Sequence, residues 1–311
     1  MVKIELEGRG FVGALLSLNQ KSDYSTNIFE ILYFAITYGY KSLRRANFAE
    51  MARRLITVYG ALEKKKTPHD YKYVKKSCYI NSNSNEKAYI SYVLGMTLCK
   101  FVAKKTLGFD MLLHYDMLAN THGFSISRNL LSNERPDFIG FDKKNKQYLV
   151  IEAKGRSGSF DSRANAEGKN QTGTILSINR QNPLRVVTQS YFDPELNVVY
   201  EDPEQTEGIH IKFDFDLDSL YIDCIRNIFK SEEKSLKSYK IDDVNFVGQE
   251  ISGTPYFVGI FREVLDSGNN HLSSILKTVE KMKEKNSDEQ LYIGDEGIIL
   301  MDKEVLQKYS C

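Results

Sequence analysis

Asp137, Glu152 and Lys154 are the residues of this 311-residue chain whose types and spacing best suit chemistry. Asp137 follows Arg135-Pro136 and heads the apolar run Phe138-Ile139-Gly140-Phe141. After the polar stretch Lys143-Lys144-Asn145-Lys146, a second run, Tyr148-Leu149-Val150-Ile151, finishes as Glu152-Ala153-Lys154. An apolar strand has no packing reason to end on an acid and a base two residues apart. Alternate residues of a strand share a face, so Glu152 and Lys154 project side by side. A short polar turn makes the two runs a hairpin, which brings Asp137 back to the end of the second strand. Paired carboxylates form a hard oxygen site suited to Mg²⁺. Such an ion polarises a phosphoryl oxygen and acidifies water. A neighbouring ammonium stabilises developing negative charge or orients the attacking water. The bland alternative is a structural hairpin with a surface ion pair, which contributes little.

The Pro-Asp, spacer, Glu-x-Lys arrangement resembles the PD-(D/E)XK nuclease superfamily over residues 86–200. The resemblance implies an α/β protein with a restriction-endonuclease-like mixed β-sheet flanked by helices. It implies Mg²⁺-dependent phosphodiester hydrolysis, with Mn²⁺ as a substitute, on a nucleic acid, DNA in preference to RNA. By that resemblance Asp137 and Glu152 are metal ligands, Lys154 is the catalytic lysine, and the Ala153 carbonyl adds a metal contact. It also points to Gln171, on a helix expected over 163–178, as a residue facing the site, with Lys169 next. On a preceding helix expected from residue 86 to 107, Glu86 is the acid the resemblance would aim at the metal. Its plain alternative is a favourable charge at a helix N-terminus, and that of Gln171 is a solvated helix position. A narrower expectation, from the same resemblance, is a role in bacterial defence against invading DNA.

Two other classes stay open. One is a catalytically silent nucleic-acid-binding or interaction protein. The other is an effector subunit that a partner ATPase or sensor activates. A homodimer would suit double-strand cutting.

Charge is unevenly distributed, although the net value is only +1. Residues 1–110 hold 18 Lys and Arg against 9 Asp and Glu, and the remainder holds 24 against 32. A basic N-terminal third suggests where a phosphate backbone would lie. Lys64, Lys65, Lys66, Lys72, Lys75 and Lys76 form the densest cluster, interleaved with Tyr71 and Tyr73, a mix that can pair phosphates and stack on bases. Arg156, just beyond the motif, joins this nucleic-acid-binding set. Lys100, Lys104 and Lys105 lie away from the apolar stripe of their helix and could serve either phosphate or solvent. The alternative for the main cluster is a solvated loop.

The elements around the motif divide the chain into three expected parts. Residues 1–80 read as a helical, basic region, with helices over 27–38 and 48–59. Residues 81–205 form the nuclease-like core, with further strands over 184–188 and 196–200. Residues 206–311 form an α+β extension, with strands over 209–216, 256–261 and 298–300 and helices over 217–229 and 272–282. The polar span 66–85 is the expected boundary of the first part. Gly8-x-Gly10-x-x-Gly13 matches a dinucleotide-binding fingerprint, but no βαβ pattern follows, so the glycines read as a turn. The four cysteines are scattered and the five histidines lack metal-ligand spacing, which points to a reducing, cytoplasmic setting rather than a zinc module. No apolar run is long enough to span a bilayer, so no membrane association is expected.

Overall fold

Strict alternation along the first strand buries Val2, Ile4 and Leu6 and leaves the intervening residues half-covered, as one face of a sheet requires. A computed structural model describes residues 1–127, 135–203, 208–241, 244–266, 280 and 290–307. The order begins β1 (Val2–Arg9), β2 (Lys21–Thr26), α1 (Ile28–Thr37), α2 (Phe48–Ala61), β3 (Leu62–Lys66), β4 (Tyr71–Lys75), α3 (Ser77–Asn81) and α4 (Ser84–Lys105). It continues β5 (Met111–His114), α5 (Tyr115–Ala119), β6 (Ser125–Ile126), β7 (Phe138–Asp142), β8 (Gln147–Gly155), α6 (Ser162–Gly173), β9 (Ile175–Ile178), β10 (Leu184–Phe192), β11 (Leu196–Glu201) and β12 (Ile209–Lys212). The last described elements are α7 (Leu217–Lys230), β13 (Lys237–Ile241), β14 (Val244–Glu250), β15 (Tyr256–Phe261), α8 (Arg262–Asp266), β16 (Leu291–Ile293), β17 (Ile298–Asp302) and a closing helical turn, Lys303–Leu306.

These elements group into two units. The first comprises Met1–Thr26, Tyr38–Ser42 and Thr57–Leu217. It is built on a mixed nine-stranded sheet in the order β3-β4-β1-β11-β10-β8-β7-β5, with β2 paired to β1. Helices α4 and α6 pack on the central strands β8 and β10. A smaller sheet, β6-β12-β9, belongs to the same unit. The second unit comprises Asn27–Thr37, Leu43–Ile56 and Asp218–Cys311. Its antiparallel sheet runs β13-β14-β15-β17-β16. Its core includes Ile31, Leu32, Phe229, Phe257 and Leu300, all buried, together with the buried acid Glu296, which accepts hydrogen bonds from the Tyr33 and Tyr221 hydroxyls.

The boundaries differ from those expected at 80 and 205. The N-terminal residues supply four strands of the motif's own sheet, so residues 1–80 are not a separate helical region. Apart from the alternating β1, these strands are short and rich in lysine or other polar residues, which gives them little apolar signature. The span 66–85 contains a hairpin strand and the helix α3 rather than a linker. The helix expected over 163–178 stops at Gly173, and the β-branched residues that follow form β9. Strand β12 likewise ends at Lys212, short of 216. The helix expected over 272–282 lies outside the described residues, Glu280 apart. The glycines of the fingerprint-like segment form a turn, with Gly10 and Gly13 at φ +75° and +61°, and an antiparallel strand follows. No described helix is long and apolar enough to cross a membrane.

Candidate active site at the end of the central hairpin

Strands β7 and β8 pair antiparallel with Phe138 opposite Ile151 and Asp142 opposite Gln147. That register sets Asp137 beside Glu152. The Asp137 backbone N–H donates to Glu152 Oε2 at 2.9 Å. Asp137 Oδ2 in turn accepts from the Ala153 backbone N–H at 3.0 Å. The hairpin therefore fixes both carboxylates through its own backbone. Parallel pairing of β8 with β10 sets Thr188 beside Ala153, and the Thr188 hydroxyl donates to the Glu152 carbonyl at 3.1 Å.

Lys154 shares the face of Glu152, as alternation demands. Its Nζ donates to Glu152 Oε1 at 2.7 Å and to Gln171 Oε1 at 2.5 Å. The Gln171 amide nitrogen donates to the Arg135 carbonyl at 3.3 Å. One lysine is thus held between an acid of its own strand and an amide of α6, and that amide is tied to the segment preceding Asp137.

Two close approaches make this arrangement feasible. A Cβ on Gly168 of α6 would lie 2.4 Å from Val187 Cγ2, 3.3 Å from Lys154 Cε and 3.4 Å from Glu152 Cγ. Only glycine lets α6 sit so near the pair. A Cβ on Gly155 would lie 1.8 Å from the Ser91 carbonyl oxygen, so glycine also lets α4 close over the end of β8. The α6 N-terminus is capped by Asp161, which accepts from the Arg163 and Ala164 N–H groups and pairs with Arg156 at 3.0 Å. The fully buried Gln189 fixes the backbone of Asp161 through its N–H at 2.6 Å and its carbonyl at 2.9 Å.

Burial dominates the electrostatics. It raises the Glu152 carboxyl to about 8, with repulsion from Asp137 adding to the effect. Burial also raises Asp137, against the stabilising Ala153 N–H and the charge of Lys154. Two acids with one ammonium between them leave an excess of negative charge whenever both ionise. The donor set fits a hard divalent cation, which would neutralise that excess. Asp137, Glu152 and Ala153 line a cleft of about 560 Å³, shared with Lys154, Arg156, Lys87 and Tyr92. Among the described residues, no group of three or more His, Cys, Asp and Glu side chains is arranged to hold a metal, so ligation here would rest on this pair and on backbone oxygens.

Other expected site residues fall elsewhere. Glu86 does not line the cleft. Asn83 and Glu86 form a reciprocal capping box, the carboxylate accepting from the Asn83 N–H at 3.1 Å, so Glu86 is committed to starting α4. Lys169 pairs with Glu201 instead of the motif. Lys100 is fully buried and donates to the Asp110 carbonyl, and Lys104 pairs with Asp110 at 3.2 Å. The lysine cluster forms the edge hairpin of β3 and β4 rather than a loop. Lys64, Lys65 and Lys66 are exposed there, Lys64 lying 4.2 Å from the Tyr71 ring centre. Lys72 pairs with Asp23 at 2.7 Å, and Lys76 donates to the Tyr59 carbonyl at 2.6 Å. Lys75 donates to the carbonyl of Ser157, a cleft-lining residue, at 2.7 Å. That bond ties the basic hairpin to the cleft rim.

Sequence reasoning missed Lys87 and Tyr92, which stand on the cleft wall, and Gly168, whose glycine reads in sequence only as a weakness of the helix. The pairing of Gln189 with Asp161 leaves no local pattern, because the two residues are 28 apart. No protein-family model, curated protein or solved structure matches this chain.

Proposed function

We propose that this chain is a divalent-metal-dependent nuclease of the PD-(D/E)XK type, acting on DNA by hydrolysis of phosphodiester bonds. The observation that carries the reading is the convergence of Asp137, Glu152 and Lys154 at one end of the β7–β8 hairpin, within one open cleft. A mixed sheet flanked by helices, with the motif on the adjacent interior strands β7 and β8, is consistent with a restriction-endonuclease-like core.

Asp137 and Glu152, with the Ala153 carbonyl, would hold Mg²⁺ or Mn²⁺. Such an ion supplies Lewis acidity toward a phosphoryl oxygen and acidifies water. Lys154 brings a positive charge beside the reacting phosphate, where it stabilises the charge that develops as the bond to the attacking water forms. Glu152 and Gln171 fix the position of that ammonium before substrate arrives, so little reorganisation is needed at reaction. Arg156 and Lys87 add positive charge along the cleft wall for the flanking phosphates. The exposed lysines of β3 extend this charge from the rim, to which Lys75 of β4 ties the hairpin.

The test is incubation of the purified chain with plasmid, linear duplex and single-stranded DNA and with RNA, in Mg²⁺, Mn²⁺, Ca²⁺ or EDTA. Cut product in Mg²⁺ or Mn²⁺, with binding and little cutting in Ca²⁺, is the expected outcome. Equal binding in Mg²⁺ and Ca²⁺ without product would instead mark a binding module.

A further inference from the structure

A second groove of the first unit is larger than the carboxylate cleft. It has a volume of about 790 Å³ and lies on the small β6-β12-β9 sheet and the turn after β9. It is lined by Arg180, Lys212 and His210, and no carboxylate lines it among the described residues. Neither Arg180 nor Lys212 has an ionic partner among those residues. Two uncommitted cations facing a space without a counter-charge favour an anion there.

Ile126, Ile211 and Phe213 also line the groove, Ile211 on the buried face of β12 and Phe213 buried just beyond it, while His210 and Lys212 are exposed. Phe213 is braced by stacking on Phe215 and by an edge contact with Tyr148. The turn that carries Arg180 is held in place by its neighbour: Asn179 donates to the Ile211 carbonyl at 2.9 Å and to the Tyr148 hydroxyl at 3.2 Å, and accepts from the Phe213 N–H at 2.9 Å. His210 has its Nδ1 engaged by the Ser177 hydroxyl at 2.8 Å, which leaves Nε2 for a ligand. The volume is far larger than a bare phosphate needs and falls in the range of ordinary small-ligand pockets, roughly 300–1,000 Å³. Exposed cations beside the amide of Asn182 and the imidazole of His210 suit a ligand with a charged end and a flat, hydrogen-bonding end.

We infer that this groove binds a nucleoside 5′-phosphate, either as a free nucleotide or as the phosphorylated end of a strand. Arg180 and Lys212 take the phosphate, and the lining at His210 and Asn182 takes the base. The groove abuts Tyr148, four residues before Glu152 on β8, which is about 13 Å along an extended strand. It is therefore separate from the carboxylate pair, and its ligand does not depend on the chemistry proposed for that pair.

The test is calorimetry on the full chain in EDTA, with adenosine 5′-monophosphate, adenosine and inorganic phosphate as probes. A second arm compares a 5′-phosphorylated with a 5′-hydroxyl single-stranded oligonucleotide. Saturable one-to-one binding of adenosine 5′-monophosphate, much tighter than adenosine or phosphate alone, supports a free nucleotide. Preference for the phosphorylated oligonucleotide over its 5′-hydroxyl form supports a strand end. In either case Arg180→Gln and Lys212→Gln should each weaken binding about tenfold or more, with unchanged thermal unfolding, and Asp137→Asn should leave it unaltered. Absence of saturable binding by every phosphorylated probe, or binding indifferent to both Gln variants, overturns the inference.

Discussion

The backbone N–H of Asp137 donates to the Glu152 carboxylate at 2.9 Å, so the two acids are held against one another by the peptide chain and not by side-chain packing alone. A bond of this kind survives substitution of the Asp137 side chain. It follows that variants at position 137 should keep the hairpin register while losing half of the carboxylate pair.

The raised Glu152 carboxyl makes a stability and metal prediction. Folding lifts its pKa from 4.5 to about 8, chiefly through burial. The stability gained from the retained proton is complete below the unfolded pKa and is lost as pH rises through the folded value. A divalent cation competes with that proton. The rise in melting temperature on adding Mg²⁺ should therefore be larger at about pH 8.5 than at about pH 6, and Glu152→Gln should abolish the difference. Thermal unfolding with and without Mg²⁺ checks this, and a response independent of pH would contradict it.

Gly168→Ala sets two effects against each other. Alanine gains about 1 kcal/mol of helix propensity over glycine. Its Cβ, however, would stand 2.4 Å from the stiff, β-branched Val187, a clash that forces helix and strand apart. Overpacking of this kind costs about 1–3 kcal/mol. The variant should be less stable in urea despite its better propensity. Its cleavage rate, measured where it is still fully folded, should also fall, because α6 carries the Gln171 that positions Lys154.

Glu86→Ala separates capping from metal binding. Loss of the box should cost about 1 kcal/mol or less. The Mg²⁺ concentration for half-maximal cleavage should not move. A metal titration beside a denaturation curve distinguishes the two, and a large shift in metal requirement would return Glu86 to the site.

The edge hairpin should govern affinity rather than chemistry. Replacing Lys64, Lys65 and Lys66 with Gln should weaken binding to any DNA sequence. It should also flatten the dependence of log affinity on log salt, by about 0.9 for each phosphate that is no longer neutralised. Anisotropy titrations across salt concentrations read both quantities. Turnover of bound substrate should change little.

The motif was legible in sequence because a hairpin is local. Strand alternation and a four-residue polar turn suffice to juxtapose residues 137, 152 and 154. Gln171 was legible only through the family resemblance, and what places it, the close packing of Gly168 against β10, depends on residues remote in sequence. The role of Glu86 was open between cap and ligand in sequence, and the structure places it in a capping box with Asn83, three residues earlier. Strands β3 and β4 escaped detection because lysine-rich strands at the sheet edge lack a clear apolar alternation; β1 alternates plainly, but its pairing with β11 spans most of the unit's sequence. The groove at Arg180 has no linear signature, since its walls come from three separated segments.

The most direct test of the central claim is side-by-side cleavage by the native chain and by Asp137→Ala, Glu152→Ala and Lys154→Ala, each confirmed as folded, with Mg²⁺ or Mn²⁺ and an EDTA control. The account predicts metal-dependent cutting by the native chain and a loss of about a hundredfold or more in each variant. Undiminished cutting by all three variants, or no cutting of DNA or RNA by the native chain under any of these conditions, would contradict it.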